Sequence, residues 1–223
     1  MKSGDNTEKF IAAVCEKFSG AGVGTLLSSA GQEGLAGAVA TLQKAGAEQI
    51  CGTGVGGGEG YCHSNTLLKV SGSEFTKNSE ALQTEAFGNA SLFIICNSTE
   101  EIVNVVNSLE GNLTGCVYSH TEGSDDGDYD QVAPALRQRV GRLLNDKMPT
   151  GVAVSPAMNH GGPFPATGHA GFTAVGIPGS ITRFAMLQCF DNVRPHRLPN
   201  ILTDENPSGA WRNVDGKWTN ATI

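Results

Sequence analysis

No stretch of this chain is apolar enough to span a bilayer, which takes about 20 consecutive apolar residues, and Lys2 to Lys9 is too polar for a secretory core. Basic residues are scarce: Lys+Arg 15 against Asp+Glu 22 leaves a net charge of −7, with no Lys/Arg cluster anywhere. That balance disfavours nucleic acid or an anionic membrane surface as partner. The six cysteines (Cys15, Cys51, Cys62, Cys96, Cys116 and Cys189) form no Cys-x-x-Cys and no zinc pattern. Reduced thiols, no metal site and a cytoplasmic location are the expectation. No Gly-x-Ser-x-Gly is present, so a serine-hydrolase elbow has no support. Internal repeats and a clear interdomain linker are absent as well.

What is present is ordinary globular material, 39% hydrophobic and 17% charged, with 30 glycines that argue for many turns. A chain of 223 residues buries a substantial core as one large domain or two small ones. Phe10, Ile11, Val14 and Phe18 stand at helical spacing within Asn6–Phe18, and Gly34–Lys44 reads as a second helix ending at Gly46. Strands are expected at Thr66–Val70, Leu92–Cys96 and Gly115–Tyr118. Between the last two, Ser98-Thr99-Glu100-Glu101 is a capping box that opens a helix striped by Ile102, Val105, Val106 and Leu109. Residues 122–130 read as a solvated loop or a helix lead-in, and a helix from Gln131 carries Val132, Leu136, Val140, Leu143 and Leu144. Strands alternating with helices imply an α/β fold with a largely parallel sheet flanked by helices. We take 1–223 as one domain, with 195–223 a tail over the surface or onto a neighbouring subunit.

Two local patterns invite chemistry and fail on context. Gly52-Thr53-Gly54-Val55-Gly56-Gly57 matches G-x-G-x-x-G, but a dinucleotide fingerprint needs a strand before it and a helix after it. A poor helix former follows, then a strand, so this run reads as a loop. Cys62-His63 could suggest a thiolate–imidazole pair, yet adjacent side chains rarely face one another, and it too reads as loop. Cys96 and Cys116 fall in strands, as inert buried thiols.

The stretch from Pro149 to Gly176, PTGVAVSPAMNHGGPFPATGHAGFTAVG, is far less generic. Leu82-Gln83-Thr84-Glu85-Ala86-Phe87-Gly88, Arg139-Val140-Gly141-Arg142-Leu143-Leu144 and Asn206-Pro207-Ser208-Gly209-Ala210-Trp211-Arg212 accompany it in order. Together they resemble the C-terminal half of the NAD(P)-dependent aldehyde dehydrogenases, most closely the α-ketoglutaric semialdehyde and fatty aldehyde branch. The resemblance covers nearly the whole chain.

That resemblance implies a catalytic-domain fold and oxidation of an aldehyde, possibly a semialdehyde in kind, to a carboxylic acid with NAD or NADP in the full-length enzyme. It implies that Glu85 binds the nicotinamide ribose and Phe87 flanks the ring, both exposed at the carboxyl edge of the sheet. It places His160 and Phe164 near the aldehyde entrance. Asn89 stands where the family has proline, and Thr167-Gly168-His169-Ala170-Gly171 stands where the semialdehyde branch carries Thr-Ser-Asp-Ser-Arg or similar. Gly31-Gln32-Glu33-Gly34 is similar to the family's nucleophile motif only by coincidence, since position 34 is glycine inside a helical segment. The nucleophilic cysteine, the water-activating glutamate, the oxyanion asparagine and the cofactor domain are expected upstream. No catalytic residue is therefore assigned here. The chain alone is expected to bind no cofactor, to be inactive and to form a homo-oligomer. The alternative is a stand-alone, non-catalytic binding or assembly module on the same fold.

Overall fold

The computed structural model describes residues 1–151, 153–155, 157–169, 181 and 184–223. The signature residues Val152, Pro156 and 170–176 lie outside the described ones. By internal contacts the chain divides into Met1–Ile181 and Thr182–Ile223, where the sequence reading has a single domain over 1–223.

In the first unit, α1 (Asp5–Gly20) carries Asp5 and Glu8 in its first turn and Lys17 in its last, each matched to the helix dipole. Its apolar stripe is shallow: only Ile11 is buried, while Phe10 meets Phe93 edge-on at 6.2 Å. The second helix, α2 (Ser29–Lys44), starts five residues before the expected Gly34, because Ser28 Oγ accepts the Gly31 amide at 3.2 Å and fixes the cap. Leu35, Ala38, Val39 and Leu42 then form an i, i+3, i+4, i+7 stripe facing the core.

A short β1 (Glu48–Cys51), not foreseen from sequence, pairs antiparallel with β2 (Thr66–Ser71). The chain crosses over through α3 (Gly72–Lys77) and α4 (Ser79–Leu82) into β3 (Ala90–Ile95), which runs parallel to β2. Being central, β2 buries Thr66, Leu67, Leu68 and Val70 on both faces. The expected capping box opens α5 (Thr99–Asn107): Ser98 Oγ accepts the Glu101 amide, and Glu101 accepts the amide of Asn97 at 2.6 Å rather than that of Ser98.

A second βαβ unit follows, β4 (Asn112–Val117), α6 (Asp126–Arg137) and β5 (Val140–Asn145), with β4 and β5 parallel. The expected helix through Leu144 is thus corrected. It stops at Arg137, and Val140, Leu143 and Leu144 are strand residues whose aliphatic run gains a parallel ladder with β4. The fold is mixed α/β, its parallel pairs held in two small sheets among the described residues. The core gathers Leu35, Val39, Leu42, Leu68, Val70, Phe75, Leu82 and Val105, with Phe75 only 1% exposed. Each such side chain contributes about 1.5–3 kcal/mol by burial.

The second unit contains an antiparallel hairpin of β6 (Arg212–Val214) and β7 (Lys217–Thr219), turned by Asp215 and Gly216 at φ 48° and 84°. That is a type I′ turn, matched to the strand twist. Buried Asn206 donates to the Ala210 and Asn220 carbonyls, and Arg212 donates to those of Thr203 and Ala221. Residues 195–223 are therefore locally organised by polar contacts. Leu187 to Phe190 take no strand conformation.

Candidate functional site

After buried Leu82, residues 83–89 form an arch that leads into β3. Two anchors shape it. A Cβ on Gly88 would stand 2.6 Å from Leu35 Cδ2, so a larger residue here would have to displace that buried side chain of α2. Asn89 supplies the second anchor: its amide donates to the His63 carbonyl at 2.6 Å and to Asn65 Oδ1 at 2.8 Å, while its own carbonyl accepts the Thr66 amide. With Ala86 packed against the core, Glu85 and Phe87 point outward, and Phe87 is 80% exposed. The Glu85 carboxylate has no hydrogen bond or ion pair among the described residues.

The wall opposite Phe87 is a feature the sequence reading missed. Leu26, Leu27, Ser28 and Gly31 line a cavity of about 560 Å³ with Glu85 to Gly88. The loop after β1 braces that wall. The Leu26 amide donates to the Tyr61 carbonyl at 2.6 Å, Thr25 Oγ1 to that of Glu59, and Gln32 Nε2 to that of Cys62. The glycine run is thus a loop between β1 and β2, with no helix after it to meet a pyrophosphate. Gly34 lies within α2, as its helical reading required.

His160 is exposed, Gly161 and Gly162 are buried, and Phe164 is 82% exposed. The loop is clamped on the starts of β4 and β5. The Gly111 amide donates to the Phe164 carbonyl at 3.2 Å, and the Gly161 amide to Asn159 Oδ1 at 2.9 Å. A Cβ on Gly141 would collide with the Gly161 carbonyl and come within 2.9 Å of Gly162 Cα. Pro165 and Ala166 share a second cavity, of about 710 Å³, with Gln83, Glu85 and Glu110 to Thr114. Glu85 therefore borders both cavities and Phe87 only the first.

One expectation needs correcting. Glu85 and Phe87 do not lie at the carboxyl ends of the parallel strands. The arch enters β3 at its amino end, and the 160–165 loop covers Gly111, Asn112 and Gly141 at the amino ends of β4 and β5. The reason is connectivity, since Glu85 and Phe87 belong to the crossover that delivers the chain to β3.

The cysteines offer no activated nucleophile at these cavities. Cys62 and His63 are both buried, and His63 Nδ1 is engaged at 3.0 Å by the Ser64 carbonyl, so the pair is structural. Cys96 is buried, and burial pushes its thiol above the ordinary range, while Cys116 is only half-buried in β4. Among the described residues no cluster of metal-ligating side chains gathers, and no helix is long and apolar enough to cross a membrane.

The sequence profile of the aldehyde dehydrogenase family matches residues 8–162. An α-ketoglutaric semialdehyde dehydrogenase 2 from Azospirillum brasilense is 36% identical over 166 residues, 73% of this chain and 31% of that protein. An α-ketoglutaric semialdehyde dehydrogenase from Acinetobacter baylyi is 36% identical over 153 residues, covering 69% of this chain and 28% of its own length. The matched stretch thus spans about a third of these relatives. Among solved structures, PnpE from a Pseudomonas species, in complex with nicotinamide adenine dinucleotide, superposes with a TM-score of 0.57 at 16% identity. That likeness covers 72% of this chain and 33% of the other.

Proposed function

This chain belongs to the aldehyde dehydrogenase family, and we propose that it forms the C-terminal part of a catalytic domain that oxidises an aldehyde to a carboxylic acid. The observation that carries this reading is the arch: a carboxylate free of partners among the described residues and an exposed aromatic ring, held side by side by Gly88 and Asn89 at the mouth of a cavity.

These residues fit the nicotinamide end of NAD or NADP. Glu85 would accept both ribose hydroxyls, Phe87 would limit the ring's movement, and Leu26 and Leu27 would supply an apolar wall. When bound, the cofactor takes up hydride from the substrate carbon. Fixing the ribose at two points restricts rotation of the ring, and orientation of this kind lowers the barrier by avoiding an entropy cost. By the same resemblance His160 and Phe164 are assigned to the substrate side, on a loop whose backbone has little freedom. By their likeness to this chain, the two semialdehyde dehydrogenases make a semialdehyde the substrate class to try first. The sequence Thr167-Gly168-His169-Ala170-Gly171 lacks the arginine that would pair with a second carboxylate, so a carboxylate-bearing substrate needs a cation from elsewhere in the enzyme.

Among the described residues no nucleophile is positioned for this chemistry, and on this reading the chain does not turn over alone. Fusing the preceding segment of the Azospirillum relative to this chain, then adding NAD+ or NADP+ with a panel of semialdehydes, tests the proposal. Reduced cofactor should accumulate with the fusion and not with the chain by itself. A well-folded fusion without turnover, or turnover by the isolated chain, would overturn it. We also read the chain as a homo-oligomer, for which light scattering showing a monomer at high concentration is the contrary result.

A further inference from the structure

Two of the six thiols meet across elements that the chain places far apart. Cys15 lies in α1 and Cys51 closes β1, a separation of 36 residues. Cys15 Sγ is 3.4 Å from the carbonyl of Ile50, the residue before Cys51, and Cys51 Sγ is 3.7 Å from the Cys15 carbonyl. The Cys51 thiol lies near enough to help push the Cys15 thiol above its ordinary range, after burial. Ser19, one turn after Cys15 on the same helix face, brings its hydroxyl to 3.2 Å from Cys51 Sγ. Cys15 is half-buried and within reach of small solutes, whereas Cys51 is buried. No other pair of cysteines in the described residues shares such contacts.

We propose that Cys15 and Cys51 form an oxidisable dithiol site that a peroxide or a low-molecular-weight disulfide converts to an intramolecular disulfide, stapling α1 to β1. With hydrogen peroxide the Cys15 thiolate attacks one oxygen, the O–O bond breaks, and the products are a sulfenic acid and water. The Cys51 sulfur then attacks the sulfenic sulfur, the S–S bond forms, and hydroxide leaves with the Cys51 proton as a second water. Two thiols have given up two electrons and two protons, which the peroxide has taken. The Ser19 hydroxyl assists by donating to the thiolate. Burial and the neighbouring Cys51 raise the Cys15 thiol above its ordinary range, so the pair rests as a dithiol until an oxidant arrives.

The staple would fix the second half of α1 against β1. This is the end from which Asn65 reaches the Phe18 and Ala21 carbonyls and, at its other end, Asn89. The site owes nothing to the aldehyde chemistry and stands whether or not that reading holds. Closing a loop of this length constrains the unfolded chain, and the oxidised form should melt about 5–10 °C above the reduced form.

The test uses the folded full chain, treated under native conditions with hydrogen peroxide or oxidised glutathione, blocked with iodoacetamide, and digested without reduction. A Cys15–Cys51 linked peptide as the main cross-link, with a melting rise that Cys15→Ser abolishes and Cys116→Ser preserves, is the expected result. Oxidation confined to exposed Cys189, other cross-links in preference, or a Cys15–Cys51 link that forms only after denaturation would overturn the proposal. Should Cys51→Ser fail to fold, the wild-type peptide map and Cys15→Ser still decide.

Discussion

The arch at 83–89 and the loop at 160–167 solve the same problem in different ways. Each holds an exposed phenylalanine within three residues of a closely packed glycine, yet the arch is tied mainly by side chains and the loop mainly by backbone. Asn89 bonds two partners in the β1–β2 connection, and Leu35 receives Gly88. The 160–167 loop rests mainly on main-chain approach: Gly141 lies under the Gly161 carbonyl and the Gly111 amide on that of Phe164. A side-chain anchor is lost by truncation, whereas a backbone contact is lost by adding one methyl group. The two loops should therefore fail under opposite kinds of substitution.

The largest effect is expected at Gly141→Ala. Its new methyl meets backbone that cannot rotate away, so the first unit should lose about 3 kcal/mol in urea unfolding. Gly141→Ala without a fall in the midpoint would show that the loop is not clamped as described. Asn89→Ala comes next, at about 1–2 kcal/mol, because it strands the His63 carbonyl and Asn65 Oδ1. Amide exchange should quicken selectively at 85–89, and uniform exchange would deny the latch. Phe87→Ala removes only exposed surface and should change stability by no more than about 0.5 kcal/mol, separating display from anchoring.

The smallest effect lies away from both loops. Asp128 accepts from the Thr99 hydroxyl and from Lys2, which together hold its carboxyl below the ordinary range. A depressed folded value means that the contribution is present above the unfolded pKa of about 3.9 and is lost as pH falls through the folded value. Asp128→Asn should therefore lower the melting temperature slightly at neutral pH and leave it unchanged at strongly acid pH. A loss that persists equally at acid pH would point to packing rather than charge. The carboxylate is exposed, so the effect is small.

Much of the first unit was legible because its signals are local. The α2 stripe, the Ser98 cap and the β2 and β3 apolar runs each lie within a dozen residues. The β5 strand was not legible: Val132, Leu136, Val140 and Leu143 keep helical spacing straight through it, and only the distant β4 ladder overrides that pattern. β1, at four residues, is too short to show alternation. The hairpin at 212–219 did carry an Asp-Gly signal, though its three-residue strands gave nothing to flank it. Of the candidate site, Glu85 and Phe87 were visible only through resemblance, since exposed arch residues leave no periodicity. Their bracing by Asn89, Leu26 and the glycine loop depends on contacts between distant segments. The Cys15–Cys51 contact, likewise, has no signature in spacing.

The comparison turns on whether the arch displays Glu85 for a ribose. In the fusion enzyme, kcat/KM for NAD+ should be measured for wild type and Glu85→Gln alongside their melting temperatures. A carboxylate accepting two ribose hydroxyls predicts a fall of about 10–100-fold with an unchanged melting temperature. An unchanged kcat/KM in a fully folded Glu85→Gln fusion would contradict the assignment.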